Sequence, residues 1–105
     1  MLSRIKQYIE ENFNKPYICV DNIAEYFHIS NTYLGQYFKA KTGMTISEYI
    51  TQVQINHTKN LLVDTELSIR EIAEQMGYTN VSNFIRKFKA KTGVTPGIYR
   101  KANEK

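Results

Sequence analysis

Residues 75–103 carry Arg86, Lys87, Lys89, Lys91, Arg100 and Lys101 with no Asp or Glu, a block of +6. Residues 26–47 carry Lys39 and Lys41, again without an acid, a block of +2. The other stretches are negative, −1 over residues 1–25 and −3 over residues 48–74, so the net +4 of the 105-residue chain conceals an uneven distribution. Cations gathered away from carboxylates imply a polarised surface of the kind that binds phosphates. Beside them stand side chains that can read base edges: Thr32 and Gln36 near the first block, and Ser82, Asn83, Ile85 and Arg86 in the second. Arginine grips guanine O6 and N7 with two bonds, and glutamine suits adenine N6 and N7. Serine and threonine are permissive, and isoleucine can pack on a thymine methyl. Lys39, Lys41, Lys87, Lys89 and Lys91, one or two turns further on, suit phosphates, as do the amides Asn31 and Asn80.

Catalytic and metal chemistry find less to work with. Cys19 is the only cysteine, which excludes an internal disulfide and a cysteine-rich zinc site. With no partner thiol or local basic cluster to activate it, Cys19 reads as a partly buried structural thiol rather than a redox sensor. His28 and His57 are too far apart in sequence for a local metal pair, and His57 reads as a core histidine with its polar nitrogen satisfied. Glu10/Glu11 and Glu71/Glu74 read as helix-surface carboxylates, and Tyr33, Tyr37, Tyr49 and Tyr99 have spacings suited to packing and read as core. No catalytic residue, metal or cofactor is expected, and the chain is read as a binding module rather than an enzyme. No stretch approaches the roughly 18 apolar residues of a membrane span. The residues from Met1 to Gln7 lack the apolar run of a secretory signal, so a cytoplasmic protein with no membrane partner, nucleoid-associated when bound, is expected.

The elements that must position these groups are visible in a repeat. Phe38-Lys39-Ala40-Lys41-Thr42-Gly43 recurs as Phe88-Lys89-Ala90-Lys91-Thr92-Gly93 at an offset of 50, followed by Thr45/Thr95 and Tyr49/Tyr99. Ile23-Ala24-Glu25 recurs as Ile72-Ala73-Glu74 at an offset of 49, so the second copy holds one extra residue, most simply in Gly77-Tyr78-Thr79. A hydrophobic fraction of 42% can build a core, and no run alternates as a strand does, so the chain is read as all-α with about seven helices. Leu2, Ile5, Ile9 and Phe13 define the first helix. Asp21 is expected to cap the second, Ser30 the third, and Gly43 to end it. Thr45-x-x-Glu48 opens a long helix to about Val63, with Ile46, Ile50, Val53, His57 and Leu61 as its inward stripe. Ser68-x-x-Glu71 opens a fifth helix ending at Gly77, Asn80 caps a sixth, and Thr95-Pro96 opens a seventh.

One bipartite domain over residues 1–105 follows, with one helix-turn-helix unit at about 21–43, a linker helix at about 45–63, and a second unit at about 68–93. In each unit the second helix turns Leu34/Phe38 or Phe84/Phe88 inward and its polar face, including Gly35 in the first, outward. A strut of roughly 25 Å with its flanking units would bring the two recognition helices about one DNA turn apart, so that one monomer reads successive major-groove segments.

The pattern resembles the DNA-binding domain of the AraC/XylS family of bacterial transcription regulators over essentially residues 5–101. The resemblance rests on Ile23-Ala24, on Ser30-x-x-Tyr33-Leu34-x-x-x-Phe38-Lys39-x-x-x-Gly43, and on Tyr49-Ile50 and Leu61-Leu62. It extends through Ile69-x-x-Ile72-Ala73-x-x-x-Gly77-Tyr78 to Phe84-x-Arg86-x-Phe88-Lys89-x-x-x-Gly93-x-Thr95-Pro96-x-x-Tyr99-Arg100. It implies promoter DNA and RNA polymerase as partners, with Val81 joining Thr32, Gln36, Ser82, Ile85 and Arg86 in base readout. Gln36, Gln54 and Thr58 stand where the family commonly has arginine, arginine and alanine, so the second unit is expected to supply most affinity. The isolated module is expected to be monomeric, and the chain to be either a stand-alone regulator or, the favoured expectation, the C-terminal output module of a longer one. Two rivals are a fragment of a DNA-repair methyl acceptor, which would use Cys19, and a protein-interaction module on the same fold.

Overall fold

Ile5 and Ile9 stand one turn apart, and the helix they specify, α1 (Leu2–Asn12), buries both completely. The computed structural model describes residues 1–104. It continues with α2 (Val20–Tyr26), α3 (Asn31–Thr42), α4 (Ile46–Asp64), α5 (Ile69–Gln75), α6 (Val81–Thr92) and α7 (Pro96–Ala102). Seven helices and no strand among the described residues make the all-α class expected from the sequence. The chain divides into two units, Met1–Val53 and the part from Gln54 onward, with α4 contributing residues to each.

In the first unit Ile23 and Ala24 of α2, Leu34 and Phe38 of α3, and Ile46, Ile50 and Val53 of α4 close on Ile5 and Ile9 as one core. The Phe38 ring meets Tyr49 edge-on at 5.3 Å. Burial pushes the Tyr49 phenol above its ordinary value, and the Glu10 carboxylate adds to the rise. Ser30 caps α3 by accepting from the Tyr33 N–H at 3.0 Å, and Gly43 ends it in the left-handed region at φ +78°. The reciprocal capping box of Thr45 and Glu48 opens α4.

The second unit repeats the plan with Ile72 and Ala73 of α5, Phe84 and Phe88 of α6, and Ile55, Thr58 and Leu62 of α4 buried. Phe88 meets Tyr99 edge-on at 5.8 Å, the counterpart of the Phe38–Tyr49 pair. Asn80 caps α6 by accepting from the Asn83 N–H, and Gly93 ends it at φ +88°. Ser68 and Glu71 form a full capping box on α5, and Thr95 caps α7 ahead of Pro96. Thr42 and Thr92 tie down the two repeated helix ends alike, each donating to the carbonyl of Phe38 or Phe88 and accepting from the N–H of Met44 or Val94.

The turn between the paired helices is the same in both copies. The His28 N–H donates to Glu25 O and the Ile29 N–H to Ala24 O, while Gly77 N–H donates to Glu74 O and Tyr78 N–H to Ala73 O. Both are Schellman closures with the central residue left-handed, His28 at φ +57° and Gly77 at φ +84°. His28 therefore serves the turn. His28 and Gly77 are 49 apart while the caps Ser30 and Asn80 are 50 apart, so the extra residue falls in Tyr78-Thr79, as the repeat arithmetic implied.

Three expectations are corrected. Asp21 is not the cap of α2: the cap position is Cys19, and Asp21 lies in the first turn with its carboxylate accepting from Asn31 Nδ2 at 2.9 Å. Cys19 is exposed rather than partly buried, and its thiol donates to Asn22 Oδ1. The α4 stripe does not continue through His57 and Leu61, which are only half-buried; from Gln54 on, the buried set is Ile55, Thr58 and Leu62. One amphipathic stripe presupposes one core, and α4 serves a different core in each unit.

Gly77→Ala should cost about 1–2 kcal/mol in urea unfolding, the penalty of a β-carbon in the left-handed region, and His28→Gly should stabilise the chain. The backbone N–H and then the hydroxyl of Ser68 hold the Glu71 carboxyl below its usual 4.5. A carboxyl lowered in the folded state contributes stability that is complete above the unfolded value and is lost as pH falls through the lowered one. Acid titration of Glu71→Gln should therefore show a smaller loss of stability below about pH 4.5 than the parent chain.

Candidate nucleic-acid interface

A twelve-residue helix is marginal in isolation, so the outward faces of α3 and α6 are presented only because Leu34/Phe38 and Phe84/Phe88 anchor the opposite faces. On α3 the outward residues Thr32, Gln36 and Lys39 are exposed and, with Asn31 and Gly35, line one groove that also takes in Val20 and the start of α4. Asn31 is already engaged, donating to Asp21 and accepting weakly from the Thr32 hydroxyl at 3.3 Å. It ties the first turn of α2 to the first turn of α3 through one of the two N–H donors of its amide. Lys41 does not line the groove; its ammonium lies 5.9 Å over the Tyr37 ring.

On α6 the exposed polar residues are Ser82, Asn83, Arg86, Lys87, Lys89 and Lys91, while Val81 and Ile85 are half-buried. Arg86 Nη2 donates to Asn83 Oδ1 at 2.9 Å, and the Asn83 N–H is in turn held by Asn80 Oδ1 at 3.1 Å. The cap holds the backbone of Asn83, whose side-chain oxygen separately accepts from the guanidinium. Asn83 and Asn80, expected as DNA contacts, act first as positioning groups for Arg86 and for the helix end. Lys87 is steadied over Tyr78 at 5.9 Å. Lys39, Lys41, Lys89 and Lys91 all fall in last helical turns, where cations also favour the negative end of the helix dipole.

The second cationic block is smaller at the surface than its sum. Arg100 is half-buried, its Nε donating to Leu62 O at 3.0 Å and its Nη2 to Thr65 O at 3.4 Å, so it closes the carboxyl end of α4. Sequence reasoning also misplaced Tyr33, which is 52% exposed and stacked on Tyr37 at 6.1 Å with 17° between planes. The signal was available: Tyr33 and Tyr37 each precede a member of the inward pair Leu34/Phe38, which puts them beside the buried stripe rather than on it.

A helix-turn-helix domain family matches residues 23–102. The chain is 40% identical over 100 residues to the uncharacterized HTH-type transcriptional regulator YfiF of Bacillus subtilis (strain 168), covering 95% of this chain and 31% of that protein. It is 35% identical over 100 residues to the bifunctional transcriptional activator/DNA repair enzyme AdaA of the same strain, covering 95% of this chain and 47% of AdaA. The C-terminal domain of AraT, a response regulator from Geobacillus stearothermophilus, superposes with a TM-score of 0.95 at 32% identity over 99% of this chain and 86% of that one. The chain spans less than half the length of either curated relative.

Replacing Arg100 by alanine leaves the Leu62 and Thr65 carbonyls without their charged donor and should lower stability by about 1–3 kcal/mol in urea unfolding.

Proposed function

This chain belongs to the helix-turn-helix family of AraC-type DNA-binding domains, and on that premise we propose that it binds duplex promoter DNA as the recognition module of a transcription regulator. In this reading α3 and α6 each enter a major groove, in successive segments of one site, and the module acts as a monomer in the cytoplasm with RNA polymerase as a protein partner. Thr32, Gln36, Val81, Ser82, Ile85 and Arg86 read bases, while Lys39, Lys41, Lys87, Lys89 and Lys91 take phosphates. The observation that carries the proposal is the guanidinium of Arg86, exposed on an acid-free helix and oriented by Asn83 at 2.9 Å. A fixed fork of donors is what bidentate recognition of guanine requires, and orienting it before binding reduces the entropy lost on contact.

The reading is of a binding module without catalysis. AdaA carries a repair activity in a protein of which this chain spans under half, and the thiol such chemistry would need, Cys19, is exposed and bonded to a neighbouring amide. Uptake of a methyl group by Cys19 from methylated DNA, read by mass spectrometry, would reverse this assignment.

Selection from a random duplex pool should return a site whose protected length is near two helical turns. On that site Arg86→Ala should cost about 1–3 kcal/mol and relax preference at one base pair. Lys89→Ala should weaken specific and unrelated duplexes alike and reduce the slope of log K against log salt by about one unit. Equal weakening of both duplexes by Arg86→Ala would reassign it to a phosphate.

A further inference from the structure

Gly35 lies inside α3, where glycine is destabilising relative to alanine because its backbone is freer in the unfolded chain. Neither usual structural reason for a glycine applies. Its φ is not positive, unlike Gly43, Gly77 and Gly93, and a β-carbon built there meets no atom within 4 Å. The same position of the second copy carries Ile85, half-buried, so the repeated scaffold accepts a large side chain at this point. Gly35 lines an open groove of about 590 Å³ between α3 and the start of α4, and a side chain there would project into unfilled space. Its recessed part is apolar, with Val20 and Ile46 beside Gly35, and its exposed margin carries Ala40, Lys39, Thr32 and Gln36.

We propose that this groove seats a sugar–phosphate segment of one DNA strand, and that Gly35 is the residue that admits it. The inference rests on the DNA-binding reading above and deepens it. The groove is continuous with the outward face of α3, since Thr32, Gln36 and Lys39 belong to both. A duplex offers two apolar features to a protein surface, the thymine methyl and the deoxyribose edge. A single methyl is far smaller than the groove, whereas a deoxyribose laid on Val20, Gly35 and Ile46 leaves its phosphate toward the Lys39 ammonium. The contact is with the strand rather than with a base, so it adds affinity without adding sequence preference.

The test uses the intact chain with Gly35→Ala and Gly35→Ile, measuring fluorescence anisotropy on the selected duplex and on an unrelated duplex of equal length, together with thermal melting. Gly35→Ile should weaken binding to both duplexes by the same factor, at least about tenfold, while melting at or above the parent temperature. Gly35→Ala should also melt higher and weaken binding less, because one methyl fills little of the groove. Unchanged affinity in Gly35→Ile overturns the proposal, as does weakening confined to the selected duplex, which would mark a base contact. Equal weakening by Ala and Ile also overturns it, because the effect would not follow the volume filled. A parent chain that binds neither duplex overturns the DNA-binding reading and this inference together.

Discussion

The burial of one aromatic side chain in each repeat governs the rest of the structure. Phe38 and Phe88 are almost wholly withdrawn from solvent, and each joins the second helix of its pair to the helix before it and, through Tyr49 or Tyr99, to the helix after it. Full burial of such a ring is worth about 1.5–3 kcal/mol, comparable to what a short helix needs to form at all. With the inward face fixed in this way, the outward face is free to vary. α3 and α6 each carry an acid-free run of polar and basic residues that contributes nothing to the core.

A buried anchor constrains the chain that enters and leaves it. For Leu34 and Phe38 to reach Ile23 and Ala24, the chain must reverse within the few residues from Phe27 to Ser30, and the Schellman closure at His28 does this. The second copy meets the same demand with Gly77 and takes one more residue before its cap. The downstream end is equally constrained. Gly43 and Gly93 release the backbone into the left-handed region, and Thr42 and Thr92 hold the last turn closed behind them. In these features the repeat conserves a mechanical solution.

The legible features were those set by local chemistry. Ser30, Asn80 and Thr95 as caps, the two capping boxes, and Gly43 and Gly93 as stops depend on residues within four positions of one another. What sequence reasoning missed depends on a partner far along the chain or on a choice between near-equal local options. Asp21 is a good cap by type, but Asn31, ten residues on, draws its carboxylate away. His28 hides the turn that Gly77 advertises, because histidine tolerates positive φ without signalling it. Arg100 looks like one more surface cation until the carbonyls of Leu62 and Thr65 are found within its reach. The switch of buried residues along α4 was not legible because two cores share one helix, and a periodicity search assumes a single one. On α6, an exposed arginine could be expected from its type and position, but its bond to Asn83 could not.

The copies share their supports and the paired cations Lys39/Lys89 and Lys41/Lys91, and they part on the first turns of the outward face. They agree at Phe38/Phe88, Thr42/Thr92, Gly43/Gly93, Thr45/Thr95 and Tyr49/Tyr99, all of which pack, cap or turn. They differ at Tyr33/Asn83, Gly35/Ile85, Gln36/Arg86 and Tyr37/Lys87, all on the outward face of the second helix or beside its buried stripe. If these positions were only solvated surface, nothing would link one substitution to the next. Instead each copy is internally consistent. Tyr33 stacks on Tyr37, which carries Lys41, whereas Asn83 holds Arg86 and Tyr78 carries Lys87. Each helix has its own means of holding a cation over an aromatic ring, and only α6 adds an oriented guanidinium. The first helix has a recess at Gly35 where the second carries Ile85, and Gln36 where the second carries the bonded Arg86, so the two outward faces are not equivalent surfaces.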